Sequence, residues 1–298
     1  MAQLGDSIIN GNLRVNGNVI FDSFVISGLT QNSSFHNNIY RGKDITADWN
    51  SGKVSTNIAN GTFDDIYIGD YFTKSATINS TAYTLTYIVA DIDTYYGGYN
   101  SYAVVNTHHI GVVVKGLPSA RMYSTNVTYI TDNTNEKGGY YASEMYTTTL
   151  PAYATGISNS LGSTHLLSHS ILVSNKVNTT VASASMSSWK GASVNWNWYT
   201  NNISLMTECQ VYGHTVWSSN AYDTGEAYRQ LSIFRMRNVN NVFGNNWFWL
   251  RDVASSTYFC YCDGGGNAGP WRRVACWRRF SAFTLKIKGL PFIDYPRS

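Results

Sequence analysis

Apolar and polar residues alternate along several stretches of this chain, and that two-residue period predicts strands. Over residues 82–91, Tyr83, Leu85, Tyr87 and Val89 occupy every second position, so one face of a strand is buried there. The run from Ile110 through Val112, Val113 and Val114 is short, apolar and β-branched, which predicts a buried strand. Residues 63–72 read as a turn followed by a strand, and a strand-like stretch covers 165–173. Near the C-terminus, Trp247-Phe248-Trp249-Leu250, Tyr258-Phe259-Cys260-Tyr261-Cys262 and residues 280–287 each predict a further strand. Helical spacing appears at 139–145 and at 150–161, where Pro151 suits a first turn and Gly162 a stop. Asp44 is placed to cap a short helix through Trp49 and Val54 to Ile58, closed by Asn60-Gly61. The expected fold is β-rich α+β, with short helices packed on strands.

Residues 1–38 follow a different pattern. An Asn-Gly-Asn unit stands at 10–12 and again at 16–18, among alternating Ile, Leu, Val and Phe. Asn-Gly pairs punctuate short strands, and the six-residue spacing echoes β-solenoid or interlocked fibre segments. So short a stretch buries too little to be stable alone, and identical chains around a three-fold axis are the economical partner. A hairpin docked on its own domain is the alternative. Residues 31–38 read as a polar linker. The expected organisation is an N-terminal β arm over 1–38, for attachment and trimerisation, followed by one domain over 39–298.

Composition sharpens this picture. Charged residues are only 13% and aromatics 14%, with 22 Tyr and 9 Trp in 298 residues. That profile lacks the Glu/Lys/Ala/Leu richness of helical bundles and has ample aromatic surface for a core. The net charge of +3 is unevenly spread. Residues 271–298 hold Arg272, Arg273, Arg278, Arg279, Lys286, Lys288 and Arg297 against one acid, Asp294. A basic end suits nucleic acid, an anionic glycan or an acidic neighbouring subunit, but no nucleic-acid module accompanies it and none is expected to bind. No apolar run is long enough for a transmembrane helix, and the first residues show no secretory signal, so cytoplasmic synthesis without membrane insertion is expected.

Candidate chemistry is sparse. Cys209, Cys260, Cys262 and Cys276 are too few for a disulfide scaffold and read as buried thiols, with a C-x-C spacing that is weak for zinc. His108 and His109 are neighbours on a strand, pointing apart, and cannot chelate as a unit. Asp64-Asp65 and Asp91-x-Asp93 have the makings of glycosidase carboxylates or calcium ligands, yet each sits beside a turn that Asp also stabilises. No nucleophile, base and orienter set is visible, so no catalytic residue, metal or cofactor is expected.

The strand Trp247-Phe248-Trp249-Leu250-Arg251-Asp252, the following strand over 255–262 and the glycine turn over 264–269 resemble the C-terminal half of the C-type lectin fold. The variant is that of phage tropism determinants and formylglycine-generating-enzyme-like domains. Tyr40-Arg41-Gly42-Lys43-Asp44, the 63–71 segment and Val211-Tyr212-Gly213 are similar to segments of phage and prophage members. The likeness extends thinly over 40–298. Where the family has a G-V-R-P-A-F-like strand, this chain has Arg272-Arg273-Val274-Ala275-Cys276-Trp277. The calcium triplets of sugar-binding animal lectins are absent, and Cys260 with Cys262 does not match the enzyme branch's cysteine pair. The resemblance implies a bacteriophage virion protein, fibre or receptor-binding, that displays a lectin-like surface to a host glycan or protein and attaches to other virion proteins through residues 1–38. A purely structural head fibre, capsid decoration or tail-collar protein is the alternative. On the adhesive reading the contact residues are Tyr258, Tyr261, Asp263, Asn267, Trp271, Arg272, Arg273, Trp277 and Arg278, because rigid aromatics and Arg supply contact energy at low entropic cost.

Overall fold

The computed structural model describes residues 33–97, 105–122, 140–141, 143–174, 196–217, 230–255, 258–272, 279–280 and 283–289. All lie in one compact unit, Gln31–Ser298. The expected β arm falls outside the described residues as far as residue 32. From Ser33 onward the expected linker belongs to the domain instead. Ser33–His36 is a helical turn (α1), and His36 and Asn37 are buried. The Asn37 amide donates to Ile92 O at 2.7 Å and accepts from Ile92 N at 2.8 Å, as a neighbouring strand would. His36 Nδ1 meets Ile66 O at 2.8 Å. Polar composition suggested a linker, but an amide that offers both donor and acceptor can end a sheet.

The helices are α2 (Thr46–Asn50), α3 (Lys53–Ala59), α4 (Leu150–Leu161), α5 (Glu208–Tyr212), α6 (Ser232–Met236) and α7 (Val239–Phe243). The strands are β1 (Tyr71–Ile78), β2 (Thr81–Ile92), β3 (His109–Lys115), β4 (Ser119–Ala120), β5 (His169–Ser174), β6 (Trp196–Asn201), β7 (Ile203–Leu205), β8 (Phe248–Ser255), β9 (Tyr258–Cys262), β10 (Ala268–Arg272), β11 (Arg279–Phe280) and β12 (Phe283–Lys288). The fold is α+β and β-rich. One antiparallel sheet runs β1-β2-β3-β12-β7, so a late strand closes against an early one. A second runs β10-β9-β8-β11-β4, and β5 pairs with β6 apart from both.

Several expectations hold in detail. Leu85, Tyr87 and Val89 point into the core from β2, and β3 is buried through Val114. Asp44 Oδ1 accepts Thr46 N at 2.8 Å at the helix start, and Pro151 lies in the first turn of α4, which stops at Gly162. The single helix expected over 44–58 is two, because Gly52 turns left-handed at φ 82° between them. The helical spacing at 139–145 yields a turn at 140–141 and then a π-helical turn, Met145–Thr149, that runs into α4. Residues 163–165 form a 3-10 turn, so the strand expected from 165 begins at His169. α4 packs across β1, where a Cβ at Gly156 would stand 2.6 Å from Thr77 O.

The two larger sheets meet around β8. Trp249 is fully buried and donates from Nε1 to Ala120 O at 3.3 Å. Arg251 N bonds Met206 O at 3.0 Å, and Arg251 Nη1 donates to Ser204 Oγ at 3.0 Å on β7. Asp252 Oδ2 accepts Glu208 N at 2.7 Å at the start of α5. The buried Glu208 carboxylate in turn accepts Val216 N at 2.9 Å and Trp217 N at 3.0 Å. The Arg-Asp pair of β8 is therefore fold-holding machinery, with each buried charge given donors or acceptors of its own.

Candidate functional site

The turn joining β9 to β10 is organised by one carboxylate. Asp263 N donates to Asn267 O at 2.9 Å, and Asp263 Oδ1 accepts Gly265 N and Asn267 N, each at 2.8 Å. Asn267 Nδ2 adds contacts at 3.3 and 3.2 Å to the two carboxylate oxygens, and Gly266 supplies the left-handed φ of 88°. Desolvation works to raise the Asp263 carboxyl, but the donors of Asn267, Gly265 and Gly266 outweigh it and hold it below its ordinary value. Asp263 thus serves the turn, and Gly265 and Asn267 within it are exposed.

On one side of this turn stands an aromatic pair. Trp247 is 39% exposed and stacks on Tyr261 with ring centroids 5.3 Å apart and planes 4° from parallel. Both flanking glycines permit it: a Cβ at Gly264 would lie 3.1 Å from Trp247 Nε1, and one at Gly269 would lie 2.7 Å from the Tyr261 ring. Such offset or parallel pairs contribute about 0.5–1.5 kcal/mol beyond area burial.

On the other side the turn borders a cavity of about 340 Å³, lined by Tyr212, Gln230, Arg237, Asn238, Asn240 and Asn267 with Val211, Phe234 and Val239. Local structure places each wall. Thr207 and Gln210 form a reciprocal capping box that starts α5, and Leu231 N bonds Gln210 O at 2.9 Å to bring α6 alongside. Gln230 Nε2 donates to Val211 O at 2.8 Å. Arg237 and Asn238 form the junction between α6 and α7, both exposed. The Arg237 guanidinium lies 4.3 Å from the centre of the Tyr40 ring, itself 37% exposed. Tyr40 rests on Gly69, where φ is 85° and a Cβ would stand 2.3 Å from the ring. Two exposed aromatics thus adjoin residues of the cavity wall and turn: Tyr40 at Arg237 and Trp247 at Gly264.

Beneath Tyr40 a charge network fixes the chain. Arg41 bonds Asp70 through Nε at 3.0 Å and Nη2 at 2.6 Å, and also bonds Asp65, which accepts Lys43 Nζ at 2.9 Å. Desolvation works to raise the Asp65 carboxyl, but hydrogen bonds and charge from Lys43 and Arg41 bring it down to about 2. This is a clamp for the 63–70 turn.

The other sequence candidates go elsewhere. Asp91 is fully buried and accepts Ser232 Oγ at 2.8 Å. Asp93 bonds His108 Nδ1 at 2.8 Å and His109 N at 3.0 Å, while His109 Nδ1 turns to Thr107 O at 2.9 Å. His165 reaches Lys288 O at 3.0 Å, and His169 stacks on Tyr95 at 4.6 Å. Among the described residues no three His, Cys, Asp or Glu side chains gather as metal ligands. Cys209, Cys260 and Cys262 are buried thiols rather than disulfides; burial pushes the Cys260 thiol well up and the Cys262 thiol up to about 12. Among the described residues no helix is long and apolar enough to cross a membrane.

Of the nine expected contact residues, the structure brings together Tyr261, Asp263 and Asn267 at one turn. Tyr258 pairs with Arg272 and Phe259 with Trp271 in the backbone register of β9 and β10. Arg273, Trp277 and Arg278 lie outside the described residues. Sequence reasoning missed Tyr40, Arg237, Asn238 and Asn240 as site residues, and read Trp247 only as a strand residue. Isolated polar residues at a helix junction carry no periodic signal, and tertiary packing alone makes them neighbours. Compared with known proteins, the chain matches no family model, no curated protein and no solved structure.

Proposed function

We propose that this chain is a bacteriophage virion protein whose lectin-like domain displays an adhesive surface to the host. In this reading the residues that precede the domain, up to about residue 32, attach it to other virion proteins and draw three copies together. The observation that carries it is the 340 Å³ amide-lined cavity, with the exposed Tyr40 ring against its Arg237 and the exposed Trp247 packed on the adjoining 263–267 turn. Amides match sugar hydroxyls as both donors and acceptors, and flat rings accept the C–H face of a pyranose. The lectin-like part is supported by β8, which carries the Phe248-Trp249-Leu250-Arg251-Asp252 stretch, serving as a central core strand, with its hairpin to β9 and the glycine turn presenting the site. Assembly in the host cytoplasm and residence in the virion follow from the same reading.

Sedimentation of the purified full chain and its binding to intact host cells test the proposal. A trimer that adheres, and that loses adhesion with Trp247→Ala, supports it. A monomer that adheres to no host cell contradicts it. Labelling the protein on the intact particle separates adhesion from decoration, since a distal tail position fits the first and a capsid or neck position the second.

A further inference from the structure

The cavity beside the 263–267 turn has a charge preference of its own. Among its lining side chains Arg237 alone is ionised at neutral pH. The nearest acid on the turn, Asp263, is closed in upon Gly265 and Asn267. Four other arginines among the described residues have polar partners: Arg41 has Asp65 and Asp70, Arg121 has Glu144, Arg251 has Ser204, and Arg235 has Ser232. Arg237 forms no ion pair or hydrogen bond among the described residues, and only the Tyr40 ring holds it. Beside it the Asn238 and Asn240 side chains likewise make no hydrogen bond among the described residues.

A guanidinium next to two amides, none of them hydrogen-bonded among the described residues, puts several donors in one place. A planar guanidinium meets a carboxylate through two parallel N–H···O bonds, a geometry that no hydroxyl matches. The amides on either side suit ring hydroxyls, and the volume lies at the small end of the roughly 300–1,000 Å³ range of ligand pockets. That favours a short saccharide over an extended chain.

We infer that this cavity takes an acidic sugar, a ring bearing one carboxylate, from the host's surface polysaccharide, with Arg237 binding the carboxylate and Asn238 and Asn240 the hydroxyls. The inference rests on the adhesive reading above and names the ligand class of that same site.

Calorimetric titration of the full chain with two matched pairs tests it: trigalacturonate against its methyl ester, and sialyllactose against lactose. One acidic member is expected to bind about tenfold or more tighter than its neutral partner at low salt, with the advantage shrinking as salt screens the exposed pair. Arg237→Gln removes that advantage without shifting the melting temperature, and Arg237→Lys keeps part of it. Equal binding within both pairs, binding by no member, or an acid preference that survives Arg237→Gln overturns the assignment. Host-cell adhesion measured in parallel keeps the two readings apart. Adhesion by the wild type that persists in Arg237→Gln overturns the ligand class and leaves adhesion standing, whereas a wild-type chain that adheres to no host cell removes the adhesive reading itself.

Discussion

Trp247 and Trp249 stand two residues apart in one motif and do opposite work. Trp249 is fully buried, its indole N–H given to a backbone carbonyl, and the Arg251 and Asp252 that follow bind β7 and α5 together. Trp247 is exposed on one face, with its ring laid on Tyr261 across a glycine turn. A stretch rich in Trp and Arg therefore does not by itself mark a recognition surface. What separates the two halves is whether a charged or aromatic group finds its partner inside the domain. Arg251 does so at Ser204, whereas among the described residues Arg237 has only the Tyr40 ring beside it.

The strongest way to break this comparison is at Trp249. Trp249→Ala is expected to cost about 3–5 kcal/mol, by lost burial and the cavity left behind. Urea unfolding reads it directly, and a loss below about 1 kcal/mol would place Trp249 outside the core. Asp263→Ala is next, at roughly 1–2 kcal/mol, since it strips the acceptor from several turn donors. The pH dependence has a definite sign. Because the folded Asp263 carboxyl lies below its ordinary value, its stabilisation is full above the unfolded carboxylate range and fades as pH falls through the folded value. The gap in stability between wild type and Asp263→Asn therefore narrows on acidification.

Asp65 sharpens the same point on the Tyr40 flank. With a folded value of about 2 against an ordinary carboxylate near 4, its stabilisation is present above about pH 4 and lost as pH falls toward 2. Asp65→Asn flattens the acid limb of the stability curve in that window, and an unchanged limb would deny the clamp its role. Trp247→Ala has the smallest expected effect on folding, below about 1 kcal/mol, because it removes a half-exposed stacked ring. A larger loss in urea unfolding would make Trp247 a structural residue like its neighbour.

Much of the frame was legible before any coordinates. The alternation of Leu85, Tyr87 and Val89, the β-branched run of β3, and Pro151 and Gly162 bounding α4 are local signals, and each formed the element it implies. Elements decided by distant contacts were less legible. Asn37 looked like linker because its partner, Ile92, is 55 residues away. The break at Gly52 is of another kind, a local left-handed turn inside an apparently continuous helix. The site was only partly legible: Tyr261, Asp263 and Asn267 belong to one hairpin and were found together. The opposite wall comes from residues 237–240, and its outer aromatic, Tyr40, comes from the start of the domain. Each is ordinary in its local context, and only the folded chain makes them one surface.

The division between a fold-holding half and a partner-facing half is tested most directly by adhesion at constant stability. Binding of the full chain to host cells is measured for wild type, Trp247→Ala and Arg237→Gln, alongside each protein's melting temperature. The account predicts that both variants melt close to the wild type and that both lose adhesion. Full adhesion by a correctly folded Trp247→Ala would contradict it.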